Sequence, residues 1–301
     1  MADVPNAMAA MLLQTDHLTK DYGRFRALDD LGLSVRPGEI CGLLGPNGSG
    51  KTTALRILMG FLRPTSGRAA IAGHDCWQDG VRARRHVAYL PGELRLYENM
   101  TGRQLVRFLC RLRGQAVNSE LDCLARRLEI DLERPIASLS SGMKRKVALL
   151  QVLIPQVPLL ILDEPTNTLD PTMRHELLAQ LRDAGKKGQS VLFSSHVLAE
   201  VEEVCNRVAI LRAGKLVHMQ DMTELREARL VTAQFDGPAP EPPSHLPAAH
   251  LRSRTGKTMI LEYRGSLVPL LQWLSVQALQ DLRLEHLGLS GIYKRFHGDA
   301  A

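Results

Sequence analysis

The sequence predicts an α/β protein built on a mostly parallel sheet, followed by a small α+β domain. Three observations carry that prediction. Short apolar runs bounded by turn residues alternate with helical stretches, the order that lays helices on the faces of a parallel sheet. A glycine-rich loop, Gly45-Pro-Asn-Gly-Ser-Gly50-Lys51-Thr52, joins one such run to a helix. After about Met222 the character changes, and a Pro-rich stretch, Gly237-Pro-Ala-Pro-Glu-Pro-Pro243, marks a turn or linker before a shorter strand–helix–strand pattern.

In chain order, Leu12 to Gln14, Leu31 to Val35 and Ile40 to Leu44 read as strands, with Pro37-Gly38 turning the chain between the last two. A helix follows the glycine-rich loop from Thr52 to Phe61. Thr101-Gly-Arg-Gln104 fits a capping box, in which the threonine hydroxyl and the glutamine side chain each satisfy an orphan amide. The helix it opens, about Gln104 to Arg113, begins a helical stretch that reaches about Leu139. Strand character returns at Val157 to Leu162, Ser190 to Ser194 and Val208 to Leu211. Helices fall between them, one opening on Pro171, a residue favoured at a first helical position. In the appendage Met259 to Tyr263 and Leu282 to Leu287 read as strands, and Leu267 to Val276 as a helix.

At 301 residues and 45% hydrophobic, the chain can fill one large core and a smaller one. No stretch approaches the roughly 18 uncharged apolar residues that cross a bilayer. Residues 1–13 carry Asp3 and lack a basic start, so no signal peptide is expected. The five cysteines form no CxxC pair, which points to reduced thiols and away from a disulfide frame or a zinc site. A net charge of +6 is spread in small groups such as Arg82, Arg84, Arg85 and Lys144, Arg145, Lys146. It suits an anionic membrane face and nucleic acid equally, and so decides nothing.

The glycine-rich loop satisfies G-x-x-x-x-G-K-[ST] in the strand–loop–helix setting that this motif requires. Its backbone, from Gly45 and Pro46 through Asn47, Gly48, Ser49 and Gly50, is expected to aim amides at phosphate oxygens. Lys51 is placed to hold the terminal phosphates, Thr52 to ligate Mg²⁺, and Thr53 to continue the cradle. A second GKT, Thr255-Gly256-Lys257-Thr258, has Leu251 where the motif needs glycine and reads as a polar hairpin turn. Leu159-Leu-Ile-Leu162-Asp163-Glu164 is an apolar strand ending in two acids. Beside a phosphate loop, Asp163 is expected to hold Mg²⁺ through its water shell and Glu164 to act as general base for water.

Leu139-Ser140-Ser141-Gly142-Met143 resembles the LSGGQ signature loop of ABC nucleotide-binding domains. Tyr22 resembles the family's adenine-stacking aromatic, Asn167-Thr168-Leu169-Asp170 its D-loop, and His196 its switch histidine. The order and spacing of these motifs match an ABC cassette over about residues 11–222, with a helical subdomain at about 93–142 and an accessory domain at 223–301. The resemblance implies a P-loop NTPase that binds and hydrolyses ATP with Mg²⁺. Two copies, or a copy and a similar subunit, would pair head to tail, so that Ser140, Ser141 and Gly142 meet the other copy's γ-phosphate and Asp170 lies at the shared site. Lys51, Glu164 and His196 are the expected catalytic set, with Thr52 and Asp163 on the metal. Four departures stand out: Ser141 and Met143 in the signature loop, Thr168 where the D-loop commonly has glycine, and Gly92 where the Q-loop has glutamine. Glu93 is the candidate to replace that glutamine toward the metal.

Tyr89-Leu-Pro, Leu96-Tyr97, Ser141-Gly-Met-Lys-Arg and the C-terminal Ile292-Tyr-Lys-Arg-Phe-His-Gly298 look like the bacterial daunorubicin-resistance group of exporter subunits. That implies an integral membrane permease as partner, docked against Leu94, Leu96, Tyr97 and Met100, with the chain on the cytoplasmic side of the membrane. No stable nucleic-acid partner is expected. The alternative is a non-transport ABC ATPase acting on the ribosome or nucleic acid. Such relatives usually carry two cassettes in one chain, or interrupt the cassette with coiled coils or zinc modules.

Overall fold

The structure is a computed structural model that describes residues 11–117, 119–243, 246 and 249–297. The leader reading of residues 1–10 and the end of the chain from Gly298 lie outside the described residues. The chain divides into two compact units after Met219.

The first unit opens with strands β1 (Leu13–Tyr22), β2 (Phe25–Leu31) and β3 (Ser34–Val35), followed by β4 (Ile40–Leu44), helix α1 (Lys51–Leu58), β5 (Ser66–Ile71) and β6 (His74–Asp75). Helix α2 (Gly80–Arg85) and β7 (Val87–Leu90) lead into the helices α3 (Gly102–Leu112), α4 (Glu120–Arg127) and α5 (Ser141–Leu153). Then come β8 (Leu159–Asp163), α6 (Pro171–Lys186), β9 (Ser190–Ser195), α7 (Leu198–Val204), β10 (Arg207–Arg212) and β11 (Lys215–Asp221), whose last two residues fall past the division between the units. Two sheets result. The first has order β2-β1-β5-β6, with β3 also on β1, and is antiparallel throughout. The second has order β11-β10-β4-β9-β8-β7, and its pairs from β10 to β7 are all parallel.

Residue type explains the second sheet. Strands β4 (ICGLL), β8 (LLILD) and β9 (SVLFSS) are buried at every position, the pattern of strands covered on both faces. Helix α1 fills the space between the sheets, where Ala54, Leu55, Ile57 and Leu58 share a core with Leu18, Leu28, Leu43, Ile161 and Leu192. Fully burying each leucine or isoleucine among them stabilises the fold by about 1.5–3 kcal/mol.

Two sequence expectations change here. The segment read as a short strand at Leu12 to Gln14 is the start of a ten-residue strand that belongs to a separate antiparallel sheet. The helical stretch expected to reach Leu139 is broken into α3, α4 and a single 3₁₀ turn, Ile136–Ser138. The capping box is present as expected: the Gln104 N–H donates to Thr101 Oγ1 and the Thr101 N–H to Gln104 Oε1.

The second unit contains α8 (Met222–Glu227), β12 (Ala228–Phe235), β13 (Ala249–Thr255), β14 (Thr258–Arg264), α9 (Leu267–Ser275), β15 (Leu279–His286) and α10 (Leu289–His297). Its four strands form an antiparallel sheet of order β13-β14-β12-β15. Leu270 and Leu274 of α9 close a core on Val231, Phe235, Met259 and Leu261. The second GKT is the two-residue hairpin turn between β13 and β14, where Thr255 faces Thr258 and Gly256 has φ +58°. The last strand begins three residues earlier than expected, and α10 has no counterpart in the sequence reading.

Candidate active site

Parallel strands aligned in register end together, and their carboxyl ends leave a crevice where ligands of open α/β sheets bind. Here β4 ends in the glycine-rich loop, β8 in Asp163-Glu164, and β9 in Ser194-Ser195 just before His196. The loop is shaped by what cannot be present. A Cβ at Gly45 would stand 2.5 Å from Ser49 Oγ and 2.6 Å from the Leu211 carbonyl. One at Gly50, where φ is +103°, would meet the Ala27 carbonyl at 2.6 Å. Only glycine fits either place.

Lys51 is buried at the start of α1, and its Nζ donates to the carbonyls of Gly45 (2.7 Å) and Pro46 (3.1 Å). Glu164 Oε1 lies 3.6 Å away. Burial pulls the ammonium's pKa down, and the charge of Glu164 only partly offsets this. The buried hydroxyl of Ser49 has no hydrogen-bond partner among the described residues. A cradle of this shape, with an orphan hydroxyl and an under-compensated cation, fits a phosphate chain.

Glu164 is held from several sides. Its Oε2 accepts from Asn167 Nδ2 at 3.0 Å and lies 2.8 Å from His196 Nδ1. Its backbone is left-handed, with φ +48°, an uncommon state for a residue with a Cβ. Ser194 fastens both acids: it accepts from the Glu164 N–H at 2.8 Å and donates to Asp163 Oδ1 at 2.6 Å. The sequence reading gave Ser194 no role. Aligning β8 with β9 would have found it, because Asp163 and Ser194 are register partners.

Asn47, Thr52, Arg56, Tyr89, Gly92, Glu93, Asp163, Glu164 and His196 line one cleft of about 700 Å³. Thr52 and Asp163 place hard oxygen donors on it. Among the described residues no cluster of three or more His, Cys, Asp or Glu could hold a metal by itself. Thr53 follows on α1, half-buried.

Other expected site residues stand apart. Tyr22 is half-exposed at the end of the β1–β2 hairpin, with Lys20 Nζ 5.2 Å from its ring, and does not line the cleft. Ser140 caps α5, accepting from the Met143 N–H at 3.3 Å. Ser140 and Ser141 are exposed, Gly142 is half-buried, and none of them lines the cleft. Asp170 caps α6 through the Met173 N–H at 2.9 Å, and that backbone donation is the main reason its carboxyl sits below its ordinary pKa.

A parallel sheet whose strand ends carry a phosphate loop, a buried acid and a strained acid beside a lysine defines a P-loop nucleotide-binding domain. Comparison with known proteins carries the identification further. The family model described as ABC transporter matches residues 28–167. The chain is 36% identical over 221 residues to the uncharacterized ABC transporter ATP-binding protein YxlF of Bacillus subtilis, covering 72% of this chain and 73% of that one. It is 36% identical over 214 residues to the probable multidrug ABC transporter ATP-binding protein YbhF of Escherichia coli. That match covers 68% of this chain and spans 36% of the length of YbhF. A solved structure of an ATP-binding subunit of an ABC transporter superposes with a TM-score of 0.66 at 31% identity, over 71% of this chain and 92% of that one. The chain therefore belongs to the ABC transporter ATP-binding proteins, and its first unit is an ATPase cassette.

Proposed function

We propose that this chain is the motor subunit of an exporter: it binds ATP with Mg²⁺, pairs head to tail with a second copy, and drives a separate membrane permease. One observation carries the reading. Asp163, Glu164 and His196 line one cleft, with the Lys51 ammonium 3.6 Å from Glu164, while the Ser140-Ser141-Gly142 loop does not line it and is left for another copy's nucleotide. A symmetric pair gives each cleft the loop it lacks.

In this reading Lys51 binds the β- and γ-phosphates and Thr52 and Asp163 hold the ion, which spreads phosphate charge when bound. Glu164 takes the proton from the attacking water. His196 and Asn167 keep its carboxylate aimed, and Ser194 keeps its backbone in place. Tyr22 offers a face to adenine, and Glu93 reaches the cleft from the segment in which Gly92 replaces glutamine. The similarity to a multidrug transporter protein and the C-terminal unit support an exporter.

Permease docking is supported by exposed apolar side chains around the helical subdomain. Tyr97 lies edge-on to Phe108, with ring centroids 6.0 Å apart. Phe61, Val81 and Leu112, all more than half exposed, border a groove of about 870 Å³ near β7 and α3. No helix among the described residues is long and apolar enough to cross a membrane, so in this reading the chain sits on the cytoplasmic face by docking.

The test is a pull-down of tagged Glu164→Gln chain from solubilised native membranes with ATP. A stoichiometric multi-span membrane protein is the expected companion. Ribosomes or nucleic acid in its place would move the assignment to the non-transport alternative.

A further inference from the structure

Arg145 lies on α5, one turn beyond its Ser140 cap, and is only 2% exposed. A buried guanidinium normally faces a carboxylate, yet this one forms no ion pair among the described residues. All its bonds go to backbone carbonyls. Nη1 donates to Pro91 and Gly92, each at 3.0 Å. Nη2 donates to Asp163 at 3.1 Å and to Glu164, and Nε to Pro165 at 3.3 Å. Burial draws its pKa down, and the charges of Asp163 and Glu164 only partly offset this. Only a planar fork with five N–H donors can satisfy such a set.

The partners matter more than their number. Asp163-Glu164-Pro165 is the bend at the end of β8 that places both acids, and Glu164 is its strained residue. Ser194 fastens this bend from the N–H side, and Arg145 fastens it from the carbonyl side. The same guanidinium holds Pro91 and Gly92, the segment that enters the cleft just ahead of the docking candidates from Leu94 to Met100. Gly92 itself sits so close that a Cβ there would be 3.2 Å from Asp163 Oδ2. The backbone at Gly92 thus abuts Asp163 with no side chain of its own to transmit a change.

We propose that Arg145 is a positioning residue that couples the 91–92 segment to the Asp163-Glu164 bend, supplying through carbonyl bonds the link that a side chain at Gly92 does not make. The inference rests on the reading of the cleft as an ATPase site. It assigns the link to a helix that also starts at the signature-like loop, so one rigid element joins the docking segment, the acids and the loop offered to the second copy.

The experiment uses the full chain in a Glu164→Gln background, with and without Arg145→Lys. Lysine keeps the charge but cannot span two sets of carbonyls. Two things are measured: Mg-ATP affinity, and hydrogen exchange of peptides covering 87–95 and 160–169. Affinity is expected to stay within about threefold, while ATP-induced protection of 87–95 is lost and that of 160–169 persists. With Glu164 intact, Arg145→Lys should lower kcat about tenfold or more with KM changed less than about threefold.

Protection of both peptides in the lysine variant would overturn the coupling, as would loss of ATP binding together with loss of fold, which would make Arg145 a folding residue only. A second measurement needs no substitution: the Nε–H resonance of Arg145 should shift when Mg-ATP binds, and a resonance that stays in place would also overturn the coupling. Failure of the Glu164→Gln chain to bind Mg-ATP at all would remove the functional reading itself, and the coupling with it.

Discussion

The core of the C-terminal unit and the cleft of the cassette hold buried charge in different ways. In the C-terminal unit, Glu262 is buried on β14 between Arg252 and Arg264, both of which bond its carboxylate. Burial alone would raise its pKa, but hydrogen bonds and charge from the two arginines outweigh that and hold it below its ordinary value. At that cleft Lys51 is buried with its ammonium on two carbonyls and 3.6 Å from Glu164, Arg145 is buried on carbonyls, and the buried hydroxyl of Ser49 has no partner among the described residues. A buried ion that brings its own counter-ions serves the fold. Buried donors whose bonds go mainly to neutral oxygens are placed for a ligand or tie down the backbone of the site, and altering them should cost function before stability.

The largest test of that division is Glu164→Gln. General-base catalysis contributes roughly 10²–10⁴-fold, so phosphate release should fall by about that factor. ATP affinity and thermal midpoint should hold, because the amide keeps the bonds to Asn167 and the geometry near His196. Normal turnover in a chain that still binds ATP would remove Glu164 from the mechanism.

The complementary change is Phe235→Ala in the C-terminal core, where the ring is almost fully buried. Loss of a buried aromatic costs about 3–5 kcal/mol, read as a lower denaturant midpoint for the unit formed by β12–β15. ATP affinity should not follow. If both fall together, the two units are not energetically separate.

How much of this was legible in the sequence depends on the length scale of the signal. The glycine-rich loop, the acids after β8 and the capping box are local patterns whose physics is complete within a few residues, and they appear where expected. The antiparallel sheet was hidden because β1 carries Thr15, Asp16, His17 and Lys20 among its apolar positions, and its partners come from both the hairpin and β5. Arg145 was hidden for a sharper reason. In Lys144-Arg145-Lys146 it reads as the middle of a solvated basic group, and only the helix phase of α5 turns it inward while its neighbours stay half-buried. Ser194 needed strand register, which is a tertiary fact.

A smaller effect concerns pH in the C-terminal unit. Because the folded pKa of Glu262 lies below its unfolded value, its contribution to stability is present above the unfolded carboxylate pKa, near 4.3. It is lost as pH falls through the lower folded value. The acid limb of the C-terminal unfolding curve should therefore be steeper in the native chain than in Glu262→Gln, with the difference confined to the region below that unfolded pKa. Parallel acid limbs would mean that the two arginines contribute no net stabilisation there.

The smallest expected effect is the most specific to this chain. Thr168, in the stretch that resembles a D-loop, has φ +68°, the left-handed region that a β-branched residue rarely adopts. That conformation costs roughly 1–2 kcal/mol for a residue with a Cβ. Glycine would relieve it but would return roughly 0.5–1 kcal/mol through the freer unfolded chain. Thr168→Gly should therefore raise stability by only about 0.5–1 kcal/mol, seen as a shifted urea midpoint at unchanged slope. Thr168→Ala keeps most of the strain and should gain less, so the pair separates backbone relief from loss of the hydroxyl. The Thr168 carbonyl would lie 3.2 Å from a Cβ at Gly142, so the strained residue also sets the clearance beside the signature-like loop. If Thr168→Gly destabilises the chain, the threonine is held by contacts worth more than its strain, and the D-loop is a rigid part of the cassette, fixed against that loop.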